Sequence, residues 1–390
     1  TSFASGSTIF GDSNDDTHQF TGSLFISGSS ISVGDGANNV VVGNNVNLNV
    51  GGATNFTAIG YQAAGGNEGT AISGQNITVV GANAGKMMQQ APHRTTLFGA
   101  SAGAALNVGL DNTFIGALAG YQLTAADRNV FVGSSAGYAT VDVDNTVIIG
   151  YQAGSSNMTS DADGTVAVGY QALQDLTSGQ YNNALGYRAL ADLTTGDYNV
   201  AIGHLTMEVH TTGVRNTAIG YAAMSNTDAG STSSDSADNI FIGYGAGSGA
   251  WTNVKSENNV AVGGFSMDSP LDGALYNTAL GNYTLTALTT ADESTAIGYN
   301  AGASITTGVR NVTVGAYSGD SLTTGARNVA IGTHTLGTAT TANLNVAIGQ
   351  GAMEGAAAGV AFEGAIAIGK DALTAINSTD ANGTVAIGYQ

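Results

Sequence analysis

Asn216-Thr217-Ala218-Ile219-Gly220 is one of many variants of a single motif, and their spacing constrains the fold more than any other property of the chain. Variants end at Gly43, Gly60, Gly81, Gly99, Gly116, Gly133, Gly150, Gly169, Gly186, Gly203, Gly220, Gly243, Gly263, Gly281, Gly298, Gly315, Gly332, Gly349, Gly369 and Gly388. Eleven of the nineteen intervals between these twenty anchors are 17 residues and the others run from 18 to 23, so residues are inserted but never removed. A solenoid coil has such a minimum: the chain must go once round a constant perimeter, and surplus residues can only bulge outwards.

The repeat overrides the two or three globular domains that 390 residues would otherwise suggest. Gly accounts for 58 residues, which in another chain would read as low complexity, but here the glycines keep register with apolar triplets. A net charge of −19 with nine Lys plus Arg leaves no basic face for nucleic acid or an anionic membrane. Without Cys there are no disulfides or thiolate metal sites, and no apolar run is long enough to span a bilayer. Residue 1 is Thr and the chain stops in mid-repeat at Gly388-Tyr389-Gln390, as a segment of a longer or processed protein does.

Residues 1–36 lie outside the repeat. Their apolar pulses Thr8-Ile9-Phe10 and Leu24-Phe25-Ile26 read as short strands of a cap or attachment segment covering a raw solenoid end. From 37 to 390 the unit is clearest at Asn199-Val200-Ala201-Ile202-Gly203, followed by His204-Leu205-Thr206-Met207 and a return through Thr211-Thr212-Gly213. The triplet before Gly is apolar at all three places. Side chains alternate along a strand, so one side looks into the coil's own core and the other must meet a neighbouring copy.

In the second piece a small residue three after Gly (Ala172, Ala189, Ala223) is followed by Gly (Gly103, Gly120, Gly137) or by a large apolar residue (Leu173, Leu190, Met207, Met224, Met267, Met353). A slim coil explains both, with Leu or Met as core filler. The motif Asn, as in Asn199, Asn216 and Asn328, stacks one per coil as an amide ladder. Arg128, Arg215, Arg310 and Arg327 each precede a motif Asn and are expected to hold acidic neighbours at a surface edge.

Enzyme constellations are absent. Five scattered His make no pair at metal-ligand spacing, and there is no nucleophile elbow. Gly81 to Lys86 lacks the Gly spacing and the following Ser or Thr of a phosphate loop. No catalysis is expected. Asp142, Asp144, Asp161 and Asp163 fall in return loops, with Asp380-Ala381-Asn382-Gly383 in the corresponding place. Oxygen-rich turns of that kind suit Ca²⁺, the one cofactor considered, although no twelve-residue calcium loop is complete and solvated Asp is commoner.

For ligand binding the stretched intervals stand out: Gly220 to Gly243 is 23 residues, Gly243 to Gly263 is 20 and Gly263 to Gly281 is 18. They carry the insertion Ser225 to Asp238, including Asp235, together with the lone Trp251, Lys255 and Tyr276. An exposed Trp beside Asp and Asn suits sugar stacking; the alternative is that Trp251 packs the bulge onto the rod. Lys86 to His93 is a second bulge.

The Asn-Thr-Ala-Ile-Gly-Tyr-x-Ala repeats with Leu-Thr-Thr-Gly returns resemble those of phage tail-fibre and virion structural proteins. They are also similar to the head repeats of trimeric autotransporter adhesins. Ser7 to Ser13, Asp15 to Leu24 and Ile26 to Ser29 resemble a segment of marine tailed-phage structural proteins. The resemblance implies a trimeric fibre on a virion, bound to other virion proteins at its ends and to a cell-surface glycan or receptor. The alternative is the head of a bacterial surface adhesin. An ice-binding array fits poorly, because neighbouring Thr side chains in a return point to opposite faces. The sequence therefore predicts an all-β protein: a trimeric parallel β-solenoid (β-roll or β-helix) of about 20 coils, at roughly 4.8 Å per coil about 95 Å long.

Overall fold

The computed structural model describes residues 38–43, 45–46, 52–65, 72–89, 92–227, 235–252, 254–355, 360–376 and 381–389. The proposed N-terminal segment 1–36, Asp380 and most of the insertion after Ser225 lie outside them. Among the described residues there is no α-helix; there are a 3₁₀ turn at Ser160–Ala162 and twenty strands, β1 (Val40–Val42) to β20 (Val385–Ile387), each ending just before an anchor Gly.

The strands form one sheet in which each pairs in parallel with the next along the chain. The register is motif on motif. In β10 (Val200–Ile202) and β11 (Thr217–Ile219), Ala201 sits beside Ala218, and in β12 (Ile240–Ile242) Phe241 sits beside Ala218 despite the 23-residue interval. Insertions therefore leave the ladder untouched, as a constant perimeter requires. The chain is a parallel β-solenoid with a 17-residue base repeat, and nineteen steps of roughly 4.8 Å make it about 90 Å long.

The middle residue of each triplet points inwards and is fully buried along most of the rod, while its two neighbours face out and are half-buried or exposed. Inward residues come in two sizes, matched by the position four after Gly. Opposite Phe114, Phe131 and Phe241 stand Gly120, Gly137 and Gly247, where a Cβ at Gly137 or Gly247 would lie 2.5 Å from the ring. Opposite Ala184, Ala201, Ala218 and Ala261 stand Leu190, Met207, Met224 and Met267, all buried. In most coils one large and one small residue keep the thickness constant; where both are small, as at Ala296 and Gly302, Leu285 of the neighbouring coil fills the gap, lying 3.0 Å from where a Gly302 Cβ would be.

Two positions after each Gly, and again four after it, the backbone is left-handed even where the residue is not Gly, as at Leu205 and Met207. These turns close the coil. The anchor glycines have φ between +121° and +148°, a region other residues rarely adopt.

Candidate functional site

Because coils stack in register, a residue type repeated at one position becomes a column, and a site on this rod is a column or a break in one. Three columns are polar.

The first is the motif Asn. Asn182, Asn199, Asn216, Asn239, Asn259 and Asn277 are fully buried. Each Oδ1 accepts the backbone N–H and the Nδ2–H of the next Asn, as from Asn216 to Asn199 at 3.0 and 3.3 Å, and each Nδ2 from Asn182 on also donates to a backbone carbonyl. Ser294 carries the ladder across to Asn311, Asn328 and Asn345. The expected amide ladder is present, with Asn182 as an unforeseen member. The left-handed residue is the one before the Asn: Tyr198, Arg215 and Asp238 have φ near +60°, while the Asn does not.

That preceding position forms the second column, exposed at the rod's edge. Arg215 makes a two-pronged pair with Asp238, at 2.7 and 2.9 Å, and Arg310 pairs with Glu293 at 2.7 Å. Hydrogen bonding to Arg215 holds the Asp238 carboxyl below its ordinary range, and the same bond raises the guanidinium. Arg128 lies between Asp127 and Asp144, at 3.4 and 3.6 Å. Three of the four arginines have the expected acidic neighbours, whereas Arg327 stands between Arg310 and Leu344 in this column and makes no ion pair among the described residues; such exposed pairs are screened by water and contribute little. Tyr276, in the same column, is exposed and projects into solvent.

The third is the return Thr. The hydroxyls of Thr177, Thr194, Thr289, Thr306 and Thr323 donate to the carbonyl of the corresponding Thr one coil on, at 2.9 to 3.2 Å. These hydroxyls are taken up by backbone, while the second Thr of the return, as at Thr195, Thr290, Thr307 and Thr324, is exposed.

Trp251 is a correction. It is 0% exposed and packs on Phe241 with ring centroids 5.6 Å apart. It occupies the inner column filled elsewhere by Leu176, Leu193, Leu271 and Leu288, seven or eight residues after Gly. It therefore packs the bulge onto the rod and has no face for a sugar. The residues grouped with it do not converge on a cleft. Lys255 is salt-bridged to Glu257 at 2.8 Å, Asp235 accepts from Thr212 at 2.7 Å, and Asp238 belongs to Arg215.

The acidic returns have a structural occupation. Asp144 Oδ1 accepts the N–H of Asp127, and Asp163 Oδ1 that of Asp144, at 2.6 and 2.7 Å. Asp127, Asp197 and Asp292 cap the preceding coil in the same way. Burial raises the Asp163 carboxyl above its ordinary value despite that hydrogen bond. Asp142 and Asp161 are exposed. Among the described residues no three His, Cys, Asp or Glu side chains are grouped closely enough to hold a metal ion. Gly81 to Lys86 folds like every other coil, with Ala84 in the core.

Two features escaped the sequence reading. His210 sits in the inner column between coils that place Leu193 and Thr227 there. Its Nδ1 is 2.8 Å from Thr227 Oγ1, and its Nε2 faces the Asn216 amide nitrogen at 3.2 Å. Burial pushes the imidazole down to about 4 from its ordinary 6.5. Below pH 6.5 the unfolded chain takes up a proton that the folded one refuses, so stability present above pH 6.5 is lost as pH falls towards 4. The expected loss is about 3 kcal/mol, read as a falling midpoint in urea titrations between pH 7 and 4, and His210→Leu should flatten that slope.

The other feature is a run of exposed or half-buried rings, one per coil, from Tyr151 to His334, with centroids 4.8 to 5.8 Å apart. Its signal was legible as an aromatic or His one or two places after each Gly. Among the described residues no helix is long and apolar enough to cross a membrane. Neither a protein-family model nor a characterised protein matches the chain.

Proposed function

We propose that this chain is a rigid shaft in the attachment appendage of a tailed phage, working as a trimer that holds a receptor-binding surface away from the particle. The observation that carries the reading is the outward side of the sheet. On a single chain the residues just before the anchor glycines form one apolar column along the rod, with Phe98 55%, Leu185 50% and Leu280 49% exposed, while the column on the other flank mixes Val and Ile with Thr. Isolated apolar residues on a surface are ordinary, but a continuous apolar strip of this length calls for a protein partner. A second and third copy with the same period match it coil for coil, and closed three-fold symmetry covers all strips at once. The absence of a catalytic constellation in the described residues suits a mechanical role.

Light scattering on the native protein should return three times the monomer mass; a monodisperse monomer removes the trimer. Leu185→Asp with Leu280→Asp changes only outward positions and is expected to dissociate the trimer while the β-sheet circular dichroism remains. Antibodies raised against the rod should decorate tail appendages of phage particles. Labelling of bacterial envelopes instead would favour the adhesin head, a reading that the same repeat geometry supports.

A further inference from the structure

Five places after each anchor Gly the chain has passed both left-handed turns of its coil, away from the strand and its apolar column. The backbone ladder sets these residues one above another: Met87 N–H donates to the Ala104 carbonyl at 2.9 Å, Ala105 N–H to that of Tyr121 at 3.1 Å, and Gln122 N–H to that of Tyr138 at 3.1 Å. The column therefore runs Lys86, Ala104, Tyr121, Tyr138. Tyr121 and Tyr138 stack with centroids 5.3 Å apart and planes 4° from parallel. One step before them the column carries Ala104 in place of a ring, with the small Ala105 beside it. A cleft of about 410 Å³ opens there, lined by Lys86, Met87, Ala104, Ala105, Tyr121 and Gln122. That size lies in the range of small-molecule sites.

The walls of the cleft differ in chemistry. On the Tyr121 side, a flat ring laid over Ala104 extends the existing stack by one member. On the other side Lys86 is exposed and makes no ion pair among the described residues. Met87, 44% exposed, offers a thioether to a ring edge. The charge of −19 is unevenly spread: of 28 acidic residues, Glu68 alone lies between positions 37 and 110, so an anion is repelled least here. The far end of the stacked pair lacks this pattern, because Tyr138 is followed in the column by Ser155 and Gln174, with no cation.

We propose that this cleft binds a small planar aromatic carboxylate, its ring stacked on Tyr121 over Ala104 and its carboxylate held by the Lys86 ammonium. Ring stacking selects a flat ligand, and the charge-assisted hydrogen bond selects an anionic one. The site goes beyond the shaft reading and does not rest on it: a monomer in light scattering would leave it standing.

The test is a ligand-detected NMR titration of the full chain with 2-naphthoate. Cyclohexanecarboxylate, with the charge but no flat ring, and 2-naphthylmethanol, with the ring but no charge, are the comparison probes. Saturable binding of 2-naphthoate is expected, without competition from cyclohexanecarboxylate. Tyr121→Ala should weaken it about tenfold or more, and Lys86→Gln or the neutral probe about threefold to fivefold. Ala104→Tyr puts into the cleft the residue that the column already carries at 121 and 138, so it should abolish binding while the circular dichroism melt stays at the wild-type midpoint or rises. A folded Ala104→Tyr that binds 2-naphthoate as wild type does overturns the proposal, as does the absence of saturable binding. Equal binding of cyclohexanecarboxylate removes the stacking, and wild-type affinity in Lys86→Gln removes the carboxylate contact; either result overturns the site as stated. Should Ala104→Tyr fail to fold, exposed Lys86→Gln and the two comparison probes decide.

Discussion

Gly220→Ala is expected to destabilise the rod by about 4 kcal/mol or more and to divide its thermal unfolding into two steps. Gly220 has φ +131°, and a Cβ there would meet the carbonyl group of Gly243 in the next coil, with the carbonyl carbon 2.7 Å away. Both obstacles are backbone, and Gly243 is itself fixed to the coil before it by a ladder in which each anchor Gly donates its N–H one coil back, as Gly243 does to Ile219 at 2.8 Å. The added methyl can therefore be fitted only by opening the step between two coils. In a nearly one-dimensional array each coil is coupled only to its neighbours, so an opened step separates the rod into two cooperative blocks. Gly264→Ala is the control: its φ is not left-handed and a Cβ would meet nothing closer than 3.5 Å, so stability should change little or rise slightly. Calorimetry and limited proteolysis read both variants. A single Gly220→Ala transition superimposable on wild type would show that coil stacking does not need Gly at the anchor.

The same geometry explains why the architecture could be read before any coordinates. An anchor Gly is required in every coil by its φ and by the next coil's carbonyl, so the period survives insertion and substitution elsewhere. The compensation between Phe131 and Gly137, or Ala201 and Met207, was only half visible. Sequence places both residues, but it does not say that they face each other across one coil. Asn is a common left-handed residue, but here its amide is needed inside, and the residue before it, Tyr198 or Arg215, adopts the left-handed turn instead.

At the candidate site the choice between the two readings of Trp251, sugar stacking and packing onto the rod, has a definite structural basis. Its interval is stretched, and stretched intervals bulge, but only one extra residue precedes Trp251, which leaves it in step with Leu271 in the inner column. The surplus lies after it. Aligning by column would have placed it inside. The ring column was half visible: a ring one place after Gly recurs from Tyr151 to Tyr244, but Phe265, Tyr283, Tyr317 and His334 stand two places after it, and only stacking reveals that both positions project into one row.

Asn216→Ala is the second large effect, expected at about 4 kcal/mol, and it probes the interior as Gly220 probes the stacking. Asn216 Oδ1 accepts the N–H and Nδ2–H of Asn239, both at 3.1 Å. Its Nδ2 serves the Ser236 carbonyl at 2.8 Å and faces His210 Nε2 and Asn199 Oδ1 at 3.2 and 3.3 Å. Alanine removes all of these at once and leaves buried groups on both adjoining coils unsatisfied, at about 1–3 kcal/mol for each group that finds no substitute. Asn216→Ser should fall between, because Ser294 already holds this place in another coil, its N–H donating to Asn277 and its Oγ accepting from Asn311. Arg215→Ala, one residue away in the solvent-screened column, should leave the melt nearly unmoved. Urea titrations that rank the losses Ala above Ser above wild type would establish the ladder as an energetic element. A loss below about 0.5 kcal/mol for Asn216→Ala would mean that water replaces the amide and that the sheet hydrogen bonds alone hold the coils together.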